Sequence, residues 1–440
     1  MNPYISDTWH GVVDTGAVKA VLVFSLEPPA QGGRLWFHSR TRGDIALAVD
    51  VTDDQLRFAS PAFDIALDLA FDSGADRLTG TCSHAGVAYP MTFARGRPVR
   101  PPQQPRPQTP VAPFPYQTQD MDFLAADGSR LVGTLTRPDT PPPHPAVILS
   151  SWYGRADRNQ TKAGHQPMAV WADALTRRGL AVLRYDKRGV GASSGDFDRT
   201  TITDSAADLT LATAFLRGQG GIDPARIGLM GHSEGGHISA DAAADDSSIA
   251  FCVLLTPSGV AEEDMFETEL FRAAIAVGGV PLHPERTIRL AHAITEAGRS
   301  APSGEAAAAR VRDLLTREAE AGRFPSEGIE PRAALAASPW RRCWWNYDHT
   351  ASLRSLACPV LAVFAGCDLQ TPPRWHAPNV RAALAGNPRA RIVELAGLNH
   401  FLQPAITGAP SEYVDIDQTL APEAIRTVCG WIVAAALFSG

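Results

Sequence analysis

The twenty residues from Arg97 to Tyr116, RPVRPPQQPRPQTPVAPFPY, contain eight prolines. Proline has no backbone N–H to donate and a fixed φ, so this run can form neither a helix nor a central strand. It reads as a stiff, extended linker over 98–116, and it cuts the chain in two. With 440 residues and 45% hydrophobic content, each side has material for a core of its own.

The two sides differ in rhythm. Before the linker, KAVLVFSL, RLWFHS, IALAVDV, QLRFAS, IALDLAF and YPMTFAR alternate with period two, separated by turn-like PPAQGG and DSGAD. Short strands at this spacing predict a small all-β sandwich or barrel over 1–97. After it, apolar runs (PAVILSS, AVLRYD, RIGLMG, AFCVLLTP, CPVLAVFAG, ARIVELAG) alternate with helical stretches such as HQPMAVWADALTRRG and ITDSAADLTLATAFLRGQ. That alternation predicts a buried parallel sheet over 117–440. Between about 258 and 350 the chain is rich in Ala, Glu and Arg with helical periodicity and no good strand, which predicts a helical insertion. The C-terminal TVCGWIVAAALFSG is apolar but short, as a packed terminal helix would be.

One motif carries chemistry. Gly231-His232-Ser233-Glu234-Gly235 follows the strand-like RIGLM and precedes an Ala-rich helix. This is the context a nucleophile elbow requires, where flanking side chains would collide with strand and helix. A serine hydroxyl becomes nucleophilic when a histidine takes its proton and a carboxylate orients that histidine. On such a sheet the acid comes next in chain order, then the histidine, each after a later strand. Asp368 follows CPVLAVFAG and His400 follows ARIVELAG. His376, in PPRWHAP, is a second histidine candidate, placed before a helix and not after the last strand.

From about Phe123 to Gly440 these features resemble the α/β-hydrolase superfamily. More narrowly, they resemble the bacterial serine esterases and S33-type peptidase relatives with a β-rich N-terminal domain. The stretches that carry the resemblance are LTRRGLAVLRYDKRGVGASSG, GHSEGG, SPWRRCWWNYDHTASLRSLACPVLAVFAGCDLQTPP and GLNHFLQ. The fold it implies is a mostly parallel sheet flanked by helices, with a helical cap insertion and a small N-terminal all-β domain. In such enzymes DKRGVGASSG forms a tight structural loop beside the site. The resemblance further implies an oxyanion hole made by the amides of Glu234 and Tyr153. Here the chain departs from its relatives, reading Ser151-Trp152-Tyr153-Gly154 where they carry a glycine-rich run. The departure is expected either to be neutral, with the backbone amide still in place, or to matter because Trp152 or Tyr153 reshapes the acyl pocket or the Tyr153 hydroxyl itself donates to the oxyanion. Trp152, His232, Trp340 and Trp344 are the candidates for contacting substrate. His165 is expected to be structural.

Composition bounds the partners. A formal charge of −7 argues against a nucleic-acid footprint. Only three residues are lysine (Lys19, Lys162, Lys187), which reads as the bias of a GC-rich genome. The six cysteines show no metal spacing and are expected to be reduced. No signal peptide or membrane span is evident, so the expected location is cytoplasmic. A homo-oligomer stays open. The expectation is a serine hydrolase acting on a small-molecule acyl substrate through an acyl-serine, without metal or organic cofactor. An ester is the first substrate class, with thioester, lactone and peptide amide after it. The alternatives are a C–C bond hydrolase, an acyltransferase or a non-catalytic binding protein.

Overall fold

The computed structural model describes residues 8–14, 19–26, 34–39, 43–48, 50–51, 54–60, 65–72, 74–84, 87–96, 106–260, 284–324, 326–405, 408, 410–414 and 416–438. These divide into two compact units, one of residues 1–103 with 269–337 and the other of 104–268 with 338–440. Linker residues 98–105 and insertion residues 261–283 lie outside the described residues.

The first unit holds nine antiparallel strands: β1 Thr8–Asp14, β2 Lys19–Leu26, β3 Arg34–Ser39, β4 Gly43–Ala48, β5 Asp50–Val51, β6 Gln55–Ser60, β7 Ile65–Asp72, β8 Arg77–His84 and β9 Val87–Arg95. Their order is β4-β3-β2-β1-β9-β8-β7-β6-β5. The two end strands of this order are separated by one residue of chain. Consecutive Cα atoms are about 3.8 Å apart, so the sheet must curl far enough to bring its two end strands near each other. Burial alternates as that geometry requires, with Leu67, Leu69, Met91 and Phe93 inside and Asp68, Ala70 and Thr92 outside. Trp9 and Phe24 fill the same interior, Phe24 meeting Phe93 edge-on at 4.9 Å. The unit also contains the helices Pro284–Arg299, Gly304–Glu320 and Ile329–Ala337.

The second unit is built on eight strands: β10 Tyr116–Leu124, β11 Arg130–Pro138, β12 His144–Ser150, β13 Ala181–Tyr185, β14 Ile222–His232, β15 Cys252–Leu255, β16 Val360–Ala365 and β17 Ala390–Leu395. Their order is β10-β11-β13-β12-β14-β15-β16-β17. The pairs β10–β11 and β11–β13 are antiparallel and every later pair is parallel. The near-continuous apolar runs follow from burial on both faces. Ala146 and Ile148 of β12 face one core with the helices Ile202–Arg217 and Glu234–Asp245. Val147 and Leu149 face the other core, with the helices Pro167–Thr176 and Pro422–Phe438. The terminal helix buries Val428, Cys429 and Ile432, as the apolar C-terminus predicts. Among the described residues no helix is long and apolar enough to cross a membrane. Cys252, Cys343, Cys358, Cys367 and Cys429 are free thiols.

The strands β10 and β11 are absent from the sequence reading. β10 is an edge strand whose polar YQTQDMDFL leaves most residues exposed, so no alternation marks it. Of the linker, Arg106 and Gln108 are held by the carbonyls of Val414 and Leu420, so this part runs along the second unit.

The DKRGVGASSG loop after β13 folds around two buried carboxylates. Asp186 accepts from the Arg158 backbone and guanidinium and from the Ala192 amide. Asp208, 3% exposed, receives a two-pronged bond from Arg188 at 2.6 and 2.7 Å. Burial pushes the Asp208 carboxyl up, with Arg188 opposing. Removing one partner of such a pair strands a charge and costs about 3–5 kcal/mol. Arg188→Met should therefore destabilise by that amount in chemical denaturation, and Arg188→Met/Asp208→Leu should recover most of it. A loss below about 1 kcal/mol in the single variant would show the pair to be solvated.

Candidate active site

The carboxyl ends of β12, β13, β14, β16 and β17 each deliver a loop to one region. At β14 the chain turns directly into the helix Glu234–Asp245, and Ser233 sits in the turn at φ 56°, ψ −120°. The flanking glycines are forced by space. A Cβ on Gly231 would lie 1.8 Å from the Gly235 carbonyl oxygen, and one on Gly235 would lie 2.2 Å from the Ser150 oxygen. The Ser233 amide is spent on the Leu255 carbonyl at 2.8 Å, while its side chain stays partly accessible. The Glu234 N–H, in the first helical turn, has no acceptor within the helix.

Asp368 and His400 come together. His400 Nδ1 lies 2.7 Å from Asp368 Oδ2, and both side chains are buried. Asp368 also accepts from the Gln370 and Thr371 amides and from the Thr371 hydroxyl. Burial alone would push this carboxyl up, but the adjoining His400 and the Thr371 bonds hold it at about 2. Asp368 is therefore ionised at neutral pH and acts as acceptor, so Nδ1 carries the proton and Nε2 is left as the basic atom.

A relay of side chains ties this pair to the elbow. The Trp152 N–H donates to Gln160 Oε1, and Gln160 Nε2 donates to His232 Nδ1 at 2.8 Å. His232 Nε2 then donates to the His400 carbonyl at 2.7 Å. His232 is thus a bridge between the Ser233 and His400 backbones. Burial drops its pKa to about 3, so it stays neutral. Gln160, 1% exposed, is absent from the sequence reading because no motif marks it.

The Glu234 carboxylate is fully engaged. Lys187 Nζ reaches it at 2.9 Å and the Trp340 indole N–H at 2.5 Å. Lys187 also donates to the Trp152 carbonyl at 2.5 Å. Trp152 packs on Phe401 with ring centres 4.5 Å apart and faces His232 at 6.1 Å. Tyr153, about half exposed, lies on Trp340 at 4.1 Å, and Trp340 stacks on the buried Trp344 at 5.4 Å. So Trp152 and Trp340 border the elbow directly, and Trp344 stands one ring behind. His376 falls within the helix Pro373–Ala383, its Nδ1 accepting from the Gly259 amide, so it is not the partner of Asp368. His165 is buried between Thr419 and the Tyr413 carbonyl, a structural place. Among the described residues no group of three or more His, Cys, Asp or Glu could hold a metal ion.

Strand order, elbow and the Asp368–His400 pair define an α/β-hydrolase. The X-Pro dipeptidyl-peptidase (S15 family) model matches residues 127–384, well over half the chain, and the chain belongs to that family. The superfamily is the one the sequence resembled, although the branch named there was S33-type. The matched span holds Ser233, Asp368 and the departing Ser151–Gly154 loop, and stops short of His400. The uncharacterized protein YfhR of Escherichia coli is 30% identical over 125 residues, which cover 28% of this chain and 41% of that protein. Thiohydrolase aneE of Aspergillus aculeatus is 31% identical over 140 residues, 31% of this chain and 41% of the relative. The chain therefore spans about two fifths of the length of these curated relatives. Among solved structures, the α/β hydrolase GrgF of Penicillium gives a TM-score of 0.46 at 17% identity, covering 73% of this chain and 99% of that one.

The buried histidines set an acid limit. Burial lowers His232 to about 3 and His349 to about 4, and drops His237 well below the ordinary range. In the unfolded chain each titrates near about 6.5. Between that value and about 4 the unfolded state binds protons that the folded state refuses, so stability falls as pH falls. The slope is up to about 1.4 kcal/mol per pH unit for each such histidine. Asp368 adds its loss only below about 4. Denaturation midpoints should therefore decline from pH 6.5 to 4.5, and His349→Phe should flatten the decline. Equal stability at pH 7 and 5 would contradict this burial.

Proposed function

We propose that the protein is a serine hydrolase that cleaves a carboxylic ester of a small to medium apolar substrate through an acyl-serine. The hydrogen bond between ionised Asp368 and His400 carries the reading, because it leaves His400 Nε2 as a base on the histidine whose backbone is tied to the elbow. Ser233 Oγ attacks the acyl carbon while His400 Nε2 takes its proton. The carbonyl becomes an oxyanion held by the Glu234 amide and by Tyr153. His400 then protonates the leaving alcohol. Water, deprotonated by His400, attacks the acyl-enzyme, and its collapse frees the acid and restores Ser233.

The family description favours a second reading, release of an X-Pro dipeptide. Such a substrate presents a free N-terminal ammonium, which an unpaired carboxylate would recognise. The acidic group beside the nucleophile, Glu234, is neutralised by Lys187 and capped by Trp340, and the rings around Trp152 suit an apolar acyl group better. A panel of p-nitrophenyl esters of increasing acyl length, an acyl thioester and an X-Pro-p-nitroanilide would separate the readings. The esters are expected to turn over fastest. If only the anilide is cleaved, the ester assignment is wrong. The thioester is included because a relative is named a thiohydrolase.

Two substitutions test the machinery. Ser233→Ala should keep the melting temperature and lose several orders of magnitude in kcat, leaving about 10³-fold over water. Turnover near wild type would remove Ser233 from the mechanism. Trp152→Gly deletes a ring wedged between Phe401 and His232, and should shift preference toward bulkier acyl groups by about 1 kcal/mol per methylene admitted. An unchanged acyl-length profile would place Trp152 outside the acyl pocket.

A further inference from the structure

The side chain of Lys187 is 11% exposed, and its ammonium holds two groups at once: the Trp152 carbonyl oxygen and the Glu234 carboxylate. A peptide unit is planar and trans, so its C=O and N–H point in opposite directions. The Trp152 carbonyl belongs to the same peptide as the Tyr153 N–H. A cation that grips that oxygen therefore sets the plane and direction of the Tyr153 amide, and with it the start of the Tyr153 side chain. The preceding peptide is fixed as well, because the Trp152 N–H is held by Gln160. Beyond Tyr153 the chain passes into Gly154 at φ 98°, a residue that offers no stiffness of its own. The Trp152 peptide groups are thus held from outside, the carbonyl by the Lys187 ammonium and the N–H by Gln160. That ammonium also holds the side chain of the residue whose N–H lies in the first turn after Ser233.

We propose that Lys187 is a positioning residue of the oxyanion site, fixing the Trp152–Tyr153 peptide at a set distance from Glu234. This rests on the serine-hydrolase reading above. Stability alone does not account for the pair, since a buried ion pair can be replaced by apolar residues at little net cost. What an apolar residue could not do is direct a backbone carbonyl.

The test uses a fluorophosphonate probe, which needs no knowledge of the substrate. Ser233 Oγ forms a bond to phosphorus, fluoride leaves, and His400 takes the hydroxyl proton. The phosphoryl oxygen occupies the oxyanion site in the transition state. Saturation kinetics separate the limiting rate of labelling from the affinity of the reversible complex. Lys187→Met should lower the limiting rate by about 10- to 100-fold, less than the loss of a donor outright, with affinity unchanged. Where that variant unfolds because the Glu234 charge is stranded, Lys187→Met/Glu234→Gln removes the stranded charge and carries the test. It too should label slowly, because the Trp152 carbonyl is still released. A double variant labelled at the wild-type rate would reduce Lys187 to a counter-charge and overturn the proposal. An unlabelled wild-type Ser233 is a different failure. It would bring down the serine-hydrolase reading, and the positioning role with it.

Discussion

The backbone of Gly235 approaches the Ser150–Ser151 carbonyls, and Gly231 approaches Gly235, more closely than any Cβ could tolerate. Strand β14, the helix that follows it and the loop leaving β12 can meet only because both positions lack a side chain. The contact forces Ser233 to a positive φ that serine otherwise avoids. The strain raises its side chain above the sheet while its amide is spent on β15. With the turn fixed there, the neighbouring parallel strands bring their own loops to the same edge. Asp368 and His400 arrive from strands two and three places away in the sheet order. Parallel strands gather such loops at their carboxyl ends because each crossover returns to the opposite end of the sheet.

Proximity of loops is not yet geometry. Two hydrogen-bonded relays supply it, and both pass through Trp152. One runs from the Trp152 N–H through Gln160 and His232 to the His400 carbonyl. The other runs from the Trp152 carbonyl through Lys187 to Glu234 and on to Trp340. The residue that breaks the glycine-rich pattern of its relatives is thus gripped on both backbone atoms, and its ring is packed on Phe401. A bulky residue restricts this loop where a glycine would have left it soft. The departure at Ser151–Gly154 then has a structural consequence whatever its effect on substrate choice.

The elements legible in the sequence were those whose signal is local. Apolar runs gave the parallel strands because both faces of β12 to β16 are covered, so nothing polar interrupts them. The elbow was legible because steric exclusion writes glycines into the chain at fixed offsets from a serine. Asp368 and His400 could be placed because each follows a strand that the periodicity had already marked. β10 was not legible, since an exposed edge strand has no face to hide. The strand order of the first sheet was not legible either, because it depends on which partners the strands take and not on their own residues. Gln160 and His376 show the limit most plainly. Neither sequence context distinguishes a buried bridge from a surface residue, and only the folded neighbours decide.

Lys187 had a signal that was read as composition. In a chain with three lysines among 40 basic residues, arginine is the background choice for a positive charge. Arginine serves the other buried carboxylates beside this loop: Arg188 meets Asp208 with two parallel N–H bonds in the plane of the carboxylate, and Arg158 gives Asp186 one guanidinium N–H and its backbone amide. Lys187 meets a different demand. It must reach a carbonyl on one side and a carboxylate on another from a single point. A tetrahedral ammonium sends its three donors in diverging directions, whereas a guanidinium keeps all five in one plane. The lysine therefore stands where the geometry is divergent, and its neighbour Arg188 where it is planar. Within one loop the choice of cation follows the shape of what it binds.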